Sequence, residues 1–254
     1  MTHKIETSRS PGVCTITLAD EANRNALSRQ LIAEFISAID AAEADESVRV
    51  VVVTNRSHVF CAGADLKERT AGDSAAGTDV MAELFGRIIR SPKPFVGRIA
   101  GHAVAGGVGL AASFDISIAA ADSKFGFTEV RVGVAPAIIS VICLPKMPRA
   151  EAAAAFLRGN RFSAPEAARL GLINEAVPAA QLDARIDEVV SDLLLGSPEA
   201  LAATKQLLAQ VPAMGFDEGL TWAAALSAKL FAGPEAAEGM RAYLEKRRPA
   251  WAPE

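Results

Sequence analysis

Cysteine is scarce in this 254-residue chain: Cys14, Cys61 and Cys143 are its three, far apart and without CxxC spacing. That spacing argues against a disulfide framework and a cysteine zinc site, and for a reducing compartment. Charge of one sign is lacking too. The 26 basic and 30 acidic residues are mixed along the chain and leave a formal charge of −4, which removes the sequence-wide electrostatic reason to expect a nucleic-acid partner. No apolar run reaches the ~18 residues of a spanning helix, and the polar opening MTHKIETSRS lacks the apolar core of a signal peptide. No GxxxxGK[ST] phosphate loop occurs. The expectation is a cytoplasmic protein with neither nucleic acid nor membrane as partner.

What is present is apolar bulk. Half of the residues are hydrophobic, enough to bury one large core, alone or with a small appendage. VCTITLAD (Val13 to Asp20) alternates like a strand behind the Pro11-Gly12 turn signal, so a hairpin is predicted to start the fold. Leu27, Leu31, Phe35 and Ile39 recur every four residues, the pattern of an amphipathic helix. VRVVVVTN then reads as a buried strand, and a strand, a crossover helix and a buried strand imply parallel pairing in an α/β core. The segment Thr70 to Asp79, poor in large apolar residues, is predicted to be a loop. A helix near Val80 to Ile89, a strand at PFVGRIA, a glycine loop, a short helix and a strand at ISIAAAD follow. From Arg149 the pattern turns helical, and the division expected is a core over 1–190 and a helical region over 191–254.

The glycine loop, GHAVAGGVGLAASFD from Gly101 to Asp115, carries Gly101, Gly106, Gly107 and Gly109. GVGLAA fits a GxGxxA dinucleotide fingerprint, with Glu129 where a ribose-binding acid would fall. The fingerprint needs its first glycine directly after a strand and a full helix behind it, whereas here GHAVAG intervenes and only LAASFD precedes the next strand. The alternative is that glycine brings backbone close to a ligand carbonyl. A helix starting at Gly106-Gly107 aims its unpaired N–H groups forward. HVFCAGADLKE, His58 to Glu68, offers a second approach around Gly63. Two such loops after neighbouring strands could each give one N–H to an oxyanion.

FCAGADLKE, then GHAVAGGVGLAASFDISIAAADSKFGFTEVRVGVAP, RFSAPEAARLGLINEAVP and EAAEGMRAYLEKRRPAW together resemble the crotonase superfamily, which includes enoyl-CoA hydratases and isomerases. The resemblance covers nearly the whole chain. It implies an α/β fold built as a spiral of ββα repeats with a helical C-terminal trimerisation region, assembling as a homotrimer or dimer of trimers. It implies an acyl-CoA thioester as substrate, no metal, and no cofactor beyond the coenzyme A that the substrate carries. Matched by position, Ala64 and Gly106 would donate to the thioester oxygen. Ala62, Asp65 and Leu66 would line the adenine and pantetheine path, with Gly109, Arg131 and Ala137 also toward the substrate.

The chain also departs from that family's pattern. Hydratases of the family carry one glutamate three residues after the oxyanion glycine and another about twenty residues later. Here the first place is Gly109 and the second is Glu129, between the Phe125-Phe127 and Val130-Val132 pairs. Where hydratases usually have glycines after the proline stand Ala137, Ile138, Ile139 and Ser140. Asp65 and Glu68 read as structural or surface acids, and His58 and His102 as loop residues rather than bases. TEVRVGVAPAIIS is similar to the methylglutaconyl-CoA hydratase branch, so hydration of a 2-enoyl thioester with Glu129 moving the proton is the expected function. Arg131, two residues on, could meet a distal substrate carboxylate or be an ordinary surface arginine. The alternatives are an isomerase with Glu129 as a single shuttle, and an acyl-CoA binder without chemistry.

Overall fold

In the computed structural model, residues 3–70 and 76–253 are described. The expected hairpin opens the chain, with β1 (Ile5–Ser10) antiparallel to β2 (Val13–Leu18). α1 (Arg29–Ala44) follows, its N-terminus capped by Ser28, whose hydroxyl accepts from the Leu31 N–H at 3.3 Å. Leu31, Phe35 and Ile39 are its buried stripe, as the four-residue spacing requires, while Leu27 lies before the helix in a bridge to Ala64. Each such side chain, once buried, contributes about 1.5–3 kcal/mol.

Strands then alternate between two sheets. β3 (Val50–Asn55) belongs to the first sheet and β4 (Val59–Cys61) to the second, followed by α2 (Leu66–Thr70) and α3 (Ala76–Arg90). The turn repeats with β5 (Phe95–Ile99), β6 (His102–Val104) and α4 (Gly106–Ser113). It repeats again with β7 (Ile116–Ala120), β8 (Lys124–Gly126) and α5 (Ala137–Cys143). α6 (Arg149–Arg158), β9 (Phe162–Ser163), α7 (Ala164–Arg169) and β10 (Glu175–Val177) complete the sheets, in the orders β1-β2-β3-β5-β7-β10 and β4-β6-β8-β9. Apart from the β1–β2 and β8–β9 pairs the strands run parallel. This is the crotonase-like spiral of ββα units, mixed α/β, ending in helices α8 (Leu182–Leu195), α9 (Pro198–Gln210), α10 (Phe216–Phe231) and α11 (Pro234–Leu244).

Three sequence expectations change. Of the loop expected over Thr70 to Asp79, 71–75 lies outside the described residues, and α3 already starts at Ala76. A division at 190 falls inside α8, which packs Leu182, Ile186, Val189 and Val190 on the sheet side with Val50, Val96 and Ile118, so α8 belongs to the core. The strands β9 and β10, two and three residues long, are too short to alternate visibly and sit within the region read as helical. α9 is pinned to the core by a buried ion pair: Lys205 Nζ donates to Asp115 Oδ2 at 2.6 Å and to the Lys93 carbonyl at 3.0 Å. Asp115 Oδ2 accepts also from the Phe95 N–H at 2.7 Å.

Candidate active site

The two loops expected to approach one another do so, because the strands that deliver them are paired in parallel. β4 lies beside β6, with Val59 opposite His102 and Cys61 opposite Ala103. Behind β4 the chain turns at Gly63, φ +85°, and behind β6 it turns at Ala105, φ 50° and ψ −126°, into the first residue of α4. Gly63 has to be glycine twice over, since its φ is left-handed and an added Cβ would lie 3.0 Å from the Gly106 nitrogen and 2.9 Å from the Ala105 Cβ. Gly107 is required by proximity alone, a Cβ there falling 2.2 Å from the Cys61 carbonyl oxygen. Ala105 keeps a side chain where few L residues can, a strain of order 1–3 kcal/mol.

The peptide groups nearby are mostly spent on holding this geometry. Leu27 donates to the Gly63 carbonyl at 2.7 Å, Ala62 to the Arg24 carbonyl at 3.1 Å, and Ala105 to the Gly126 carbonyl at 2.8 Å. The N–H groups of Ala64 and Gly106 donate to no group among the described residues. Gly106 opens α4, whose dipole adds positive character to that end.

Glu129 is brought to the same end of the second sheet. The Ala105–Gly126 bond ties the residue before Gly106 to the last residue of β8, and Glu129 follows three residues later on a 3-10 turn, Glu129–Val132. Phe127, fully buried, anchors the approach by packing on Phe156 with ring centroids 4.0 Å apart. Glu129 Oε2 is buried and has no hydrogen-bond partner among the described residues. Burial pushes its carboxyl up from the ordinary carboxylate value, the direction that makes a carboxylate a better proton acceptor and a carboxylic acid available nearer neutrality.

The remaining expected residues sort by what they touch. Asp65 is buried and works within the loop: it accepts from Asn23 Nδ2 at 2.6 Å and from the Lys67 N–H at 2.9 Å. Burial alone would raise its carboxyl, but the Asn23 amide and the two N–H groups of Lys67 and Glu68 outweigh it and lower it. Ala62 and Ala64 are half-buried and Leu66 is exposed. Ala137 is exposed and begins α5; Arg131 is exposed on the turn of Glu129, its guanidinium without an acidic partner among the described residues.

Gly109, expected toward the substrate, has α5 against it: an added Cβ would meet Ile139 Cγ2 at 2.2 Å. Its φ is not left-handed, so it is glycine for room and not for conformation. His102 lies on β6, with Nδ1 accepting from the Lys124 N–H at 3.1 Å, and burial lowers its imidazole. His58 stands edge-on to it at 6.1 Å. Burial pushes the thiols of Cys61 and Cys143 up to about 12, which makes both poor nucleophiles at neutral pH.

Three residues have roles that the sequence reading did not assign. Asn25, fully buried at φ 52°, donates from Nδ2 to the Val59 carbonyl at 2.9 Å and so holds β4 in place. Its signal was an asparagine after a turn, just ahead of the helix cap. Ile139 and Cys143 form the buried face of α5, with Cys143 within electrostatic reach of Glu129, and their spacing of four was the available signal.

The comparisons agree with this architecture. The family profile described as Enoyl-CoA hydratase/isomerase matches residues 8–254. The 2,3-dehydroadipyl-CoA hydratase of Escherichia coli is 31% identical over 95% of this chain and 96% of its own. The enoyl-CoA hydratase EchA19 of Mycobacterium tuberculosis is 31% identical over 92% of this chain and 91% of its own. Among solved structures, an enoyl-CoA hydratase from Mycobacterium smegmatis superposes with a TM-score of 0.93 at 32% identity, covering 98% of both chains. With every element from β2 to the C-terminal helices within the match, the chain belongs to the enoyl-CoA hydratase/isomerase family.

Proposed function

We propose that the chain adds water across the 2,3 double bond of an enoyl-CoA thioester, with Glu129 moving the proton and the N–H groups of Ala64 and Gly106 holding the thioester oxygen. The observation that carries this is the buried Glu129 Oε2, without a hydrogen-bond partner among the described residues, at the same sheet end as two amides that donate to none of them. Ionised Glu129 takes a proton from water as the water oxygen attacks C3. The C2–C3 π electrons move toward the thioester oxygen, giving an enolate that the two N–H groups stabilise, each donor being worth about 10²–10³ in rate. The carboxyl then returns its proton to C2. Both hydrogens and the oxygen of water end in the product.

The hydratase names of the relatives support this direction. In this reading Ala62, Leu66 and the backbone of Asp65 border the coenzyme A, and Ala137 and Arg131 the acyl side. The methylglutaconyl-type substrate expected from TEVRVGVAPAIIS belongs to the same proposal. The test is to incubate the protein with crotonyl-CoA and follow the conjugated thioester absorbance. A steady loss that Glu129→Gln abolishes supports it; retention of more than a tenth of kcat in that variant assigns the proton to another group.

A second reading, isomerisation, is favoured by one observation: Glu129 has no second carboxylate from α4, since Gly109 holds that place. One carboxylate suffices to move a proton from C2 to C4 and return the double bond to conjugation. A 3-enoyl-CoA whose conjugated absorbance rises on addition of the protein selects this reading. Binding of acyl-CoA with neither change would leave a non-catalytic binder.

A further inference from the structure

α5 rests on α4 through a contact too close for any second side chain. A Cβ on Gly109 would lie 2.2 Å from Ile139 Cγ2, 2.8 Å from Ile139 Cβ and 3.4 Å from Phe85 Cε2. The first two separations are far inside van der Waals contact. The atoms concerned are a β-branched side chain's own root, which cannot swing aside as a flexible tip could. Ile139 is 2% exposed. Cys143, one turn further along the same face, is fully buried and near enough to Glu129 for the carboxylate to raise its thiol. The inner face of α5 therefore runs from the blank at Gly109 to the carboxyl of Glu129 and carries carbon and one neutral thiol.

We propose that Ile139 is a specificity-determining plug. It fills with hydrocarbon the direction in which a side chain at position 109 would extend, so that α4 brings no second carboxylate toward Glu129. Resting on the proton-transfer reading above, this biases the site. Addition of water requires a nucleophile held in line with C3. A double-bond shift requires only that Glu129 take a proton from C2, giving a dienolate, and that its carboxyl return that proton to C4. Ile139 thus holds the ratio of hydration to double-bond shift below that of a site with a carboxylate at position 109, and the hydration proposed above runs on Glu129 alone.

The experiment compares wild type, Gly109→Glu, Ile139→Gly and the double variant, with Ile139→Ala as a fifth protein that keeps a good helix former. Thermal unfolding reads the contact itself. Gly109→Glu is expected to lower Tm by about 4–10 °C beside the native Ile139, and to cost little or nothing on the Ile139→Gly background, where the obstructing side chain is gone. Initial rates with crotonyl-CoA and with a 3-enoyl-CoA read the bias. The ratio of hydration to isomerisation is expected to rise in Ile139→Gly and Ile139→Ala, and by about 10²-fold or more in the double variant. Additive Tm shifts, or an unchanged ratio in a folded double variant, would overturn the plug. Coupled Tm shifts with neither thioester turned over by any of the five would overturn the proton-transfer reading and the bias with it, leaving the contact as packing alone.

Discussion

The Cα of Gly63 lies 3.4 Å from the point a Cβ on Gly106 would occupy, so the two loops that end β4 and β6 touch through their backbones. Gly63→Ala asks for a left-handed alanine and for room that Gly106 and Ala105 hold. We expect the loops to part and one amide to leave its place, lowering kcat by about 10²–10³. Equilibrium binding of a saturated acyl-CoA measures the cost to affinity, which should be smaller. Unchanged kcat in a folded Gly63→Ala protein would mean that the loop contact does not serve the reaction.

Ala105→Gly should act oppositely on stability. The native φ of 50° with ψ of −126° strains an alanine and suits a glycine. Tm is expected to rise, by an amount equivalent to about 1 kcal/mol after the added chain entropy of glycine is subtracted. A fall in Tm would show that the Ala105 methyl, packed near Gly63, is worth more than the strain it causes.

Glu129 predicts a pH signature with a definite sign. Burial raises its carboxyl, so the folded protein holds that proton more tightly than the unfolded chain does. Its contribution to stability is therefore greatest at low pH and is lost as pH rises from the ordinary carboxylate value through the raised one. The rate moves the other way, since the base must be ionised: kcat/KM should climb through the same raised value and then level. Glu129→Gln should remove both effects. Denaturant melts of the two proteins across the acid range, differenced, isolate the stability step, and a flat difference would show that the carboxyl is not held apart from water.

How much of this was written in the chain depends on the distance over which each contact acts. The hairpin, α1 and β3 follow from patterns within one element, and each is where its residues place it. Both glycine loops were visible because a glycine advertises close backbone approach even before the partner is known. Other features depend on residues that fold together from afar. Asn23 reaches Asp65 across 42 positions, and that bond turns a residue expected at the coenzyme path into the brace of its own loop. Ile139 faces Gly109 across helices, so an apolar residue after a proline could not announce which blank it fills. β4 and β6, three residues each, are too brief to show alternation, yet they set the two loops side by side.

The buried pair of Lys205 and Asp115 should be the strongest single tie between α9 and the core. The Lys205 side chain is 7% exposed and the Asp115 side chain 25%. Asp115→Ala leaves a buried ammonium with two carbonyls and the face of Phe95 but no counter-charge in hydrogen-bond contact, a loss of about 3–5 kcal/mol. Urea unfolding should show it as a lowered midpoint at constant slope. A loss below about 1 kcal/mol would mean that water reaches the lysine once the carboxylate is gone.

α10 presents Leu220, Ala224, Ser227 and Phe231 on one exposed face, with Phe231 67% exposed. Phe216 on the same helix and Tyr243 and Leu244 on α11 are also bare. Apolar surface of this extent is normally covered by a partner, and we expect three or six copies of the 26.5 kDa chain by light scattering. Phe231→Glu should shift the mass downward. A monomer at micromolar concentration in the unmodified protein would refute the assembly.

Arg131 offers the last expectation, and it concerns the far end of the substrate. It shares its 3-10 turn with Glu129, its stem packs against the end of α6 near Gly159, and among the described residues no carboxylate pairs with it. An exposed guanidinium two residues from the base can fork a carboxylate bidentately. If Arg131 serves an acyl tail with a terminal carboxylate, Arg131→Met should raise KM for a 2-enoyl-CoA that carries one by about tenfold or more. That corresponds to the roughly 1.5–3 kcal/mol of a hydrogen bond to a charged group. The same variant should leave kcat nearly unaltered, because the contact is made equally in ground and transition states. It should also leave crotonyl-CoA, which has no such carboxylate, at its wild-type KM, and the wild-type KM for the carboxylate-bearing thioester should rise as salt is added. An equal rise in KM for both substrates would assign Arg131 to the coenzyme or to the fold, and no rise for either would make it a solvated surface residue.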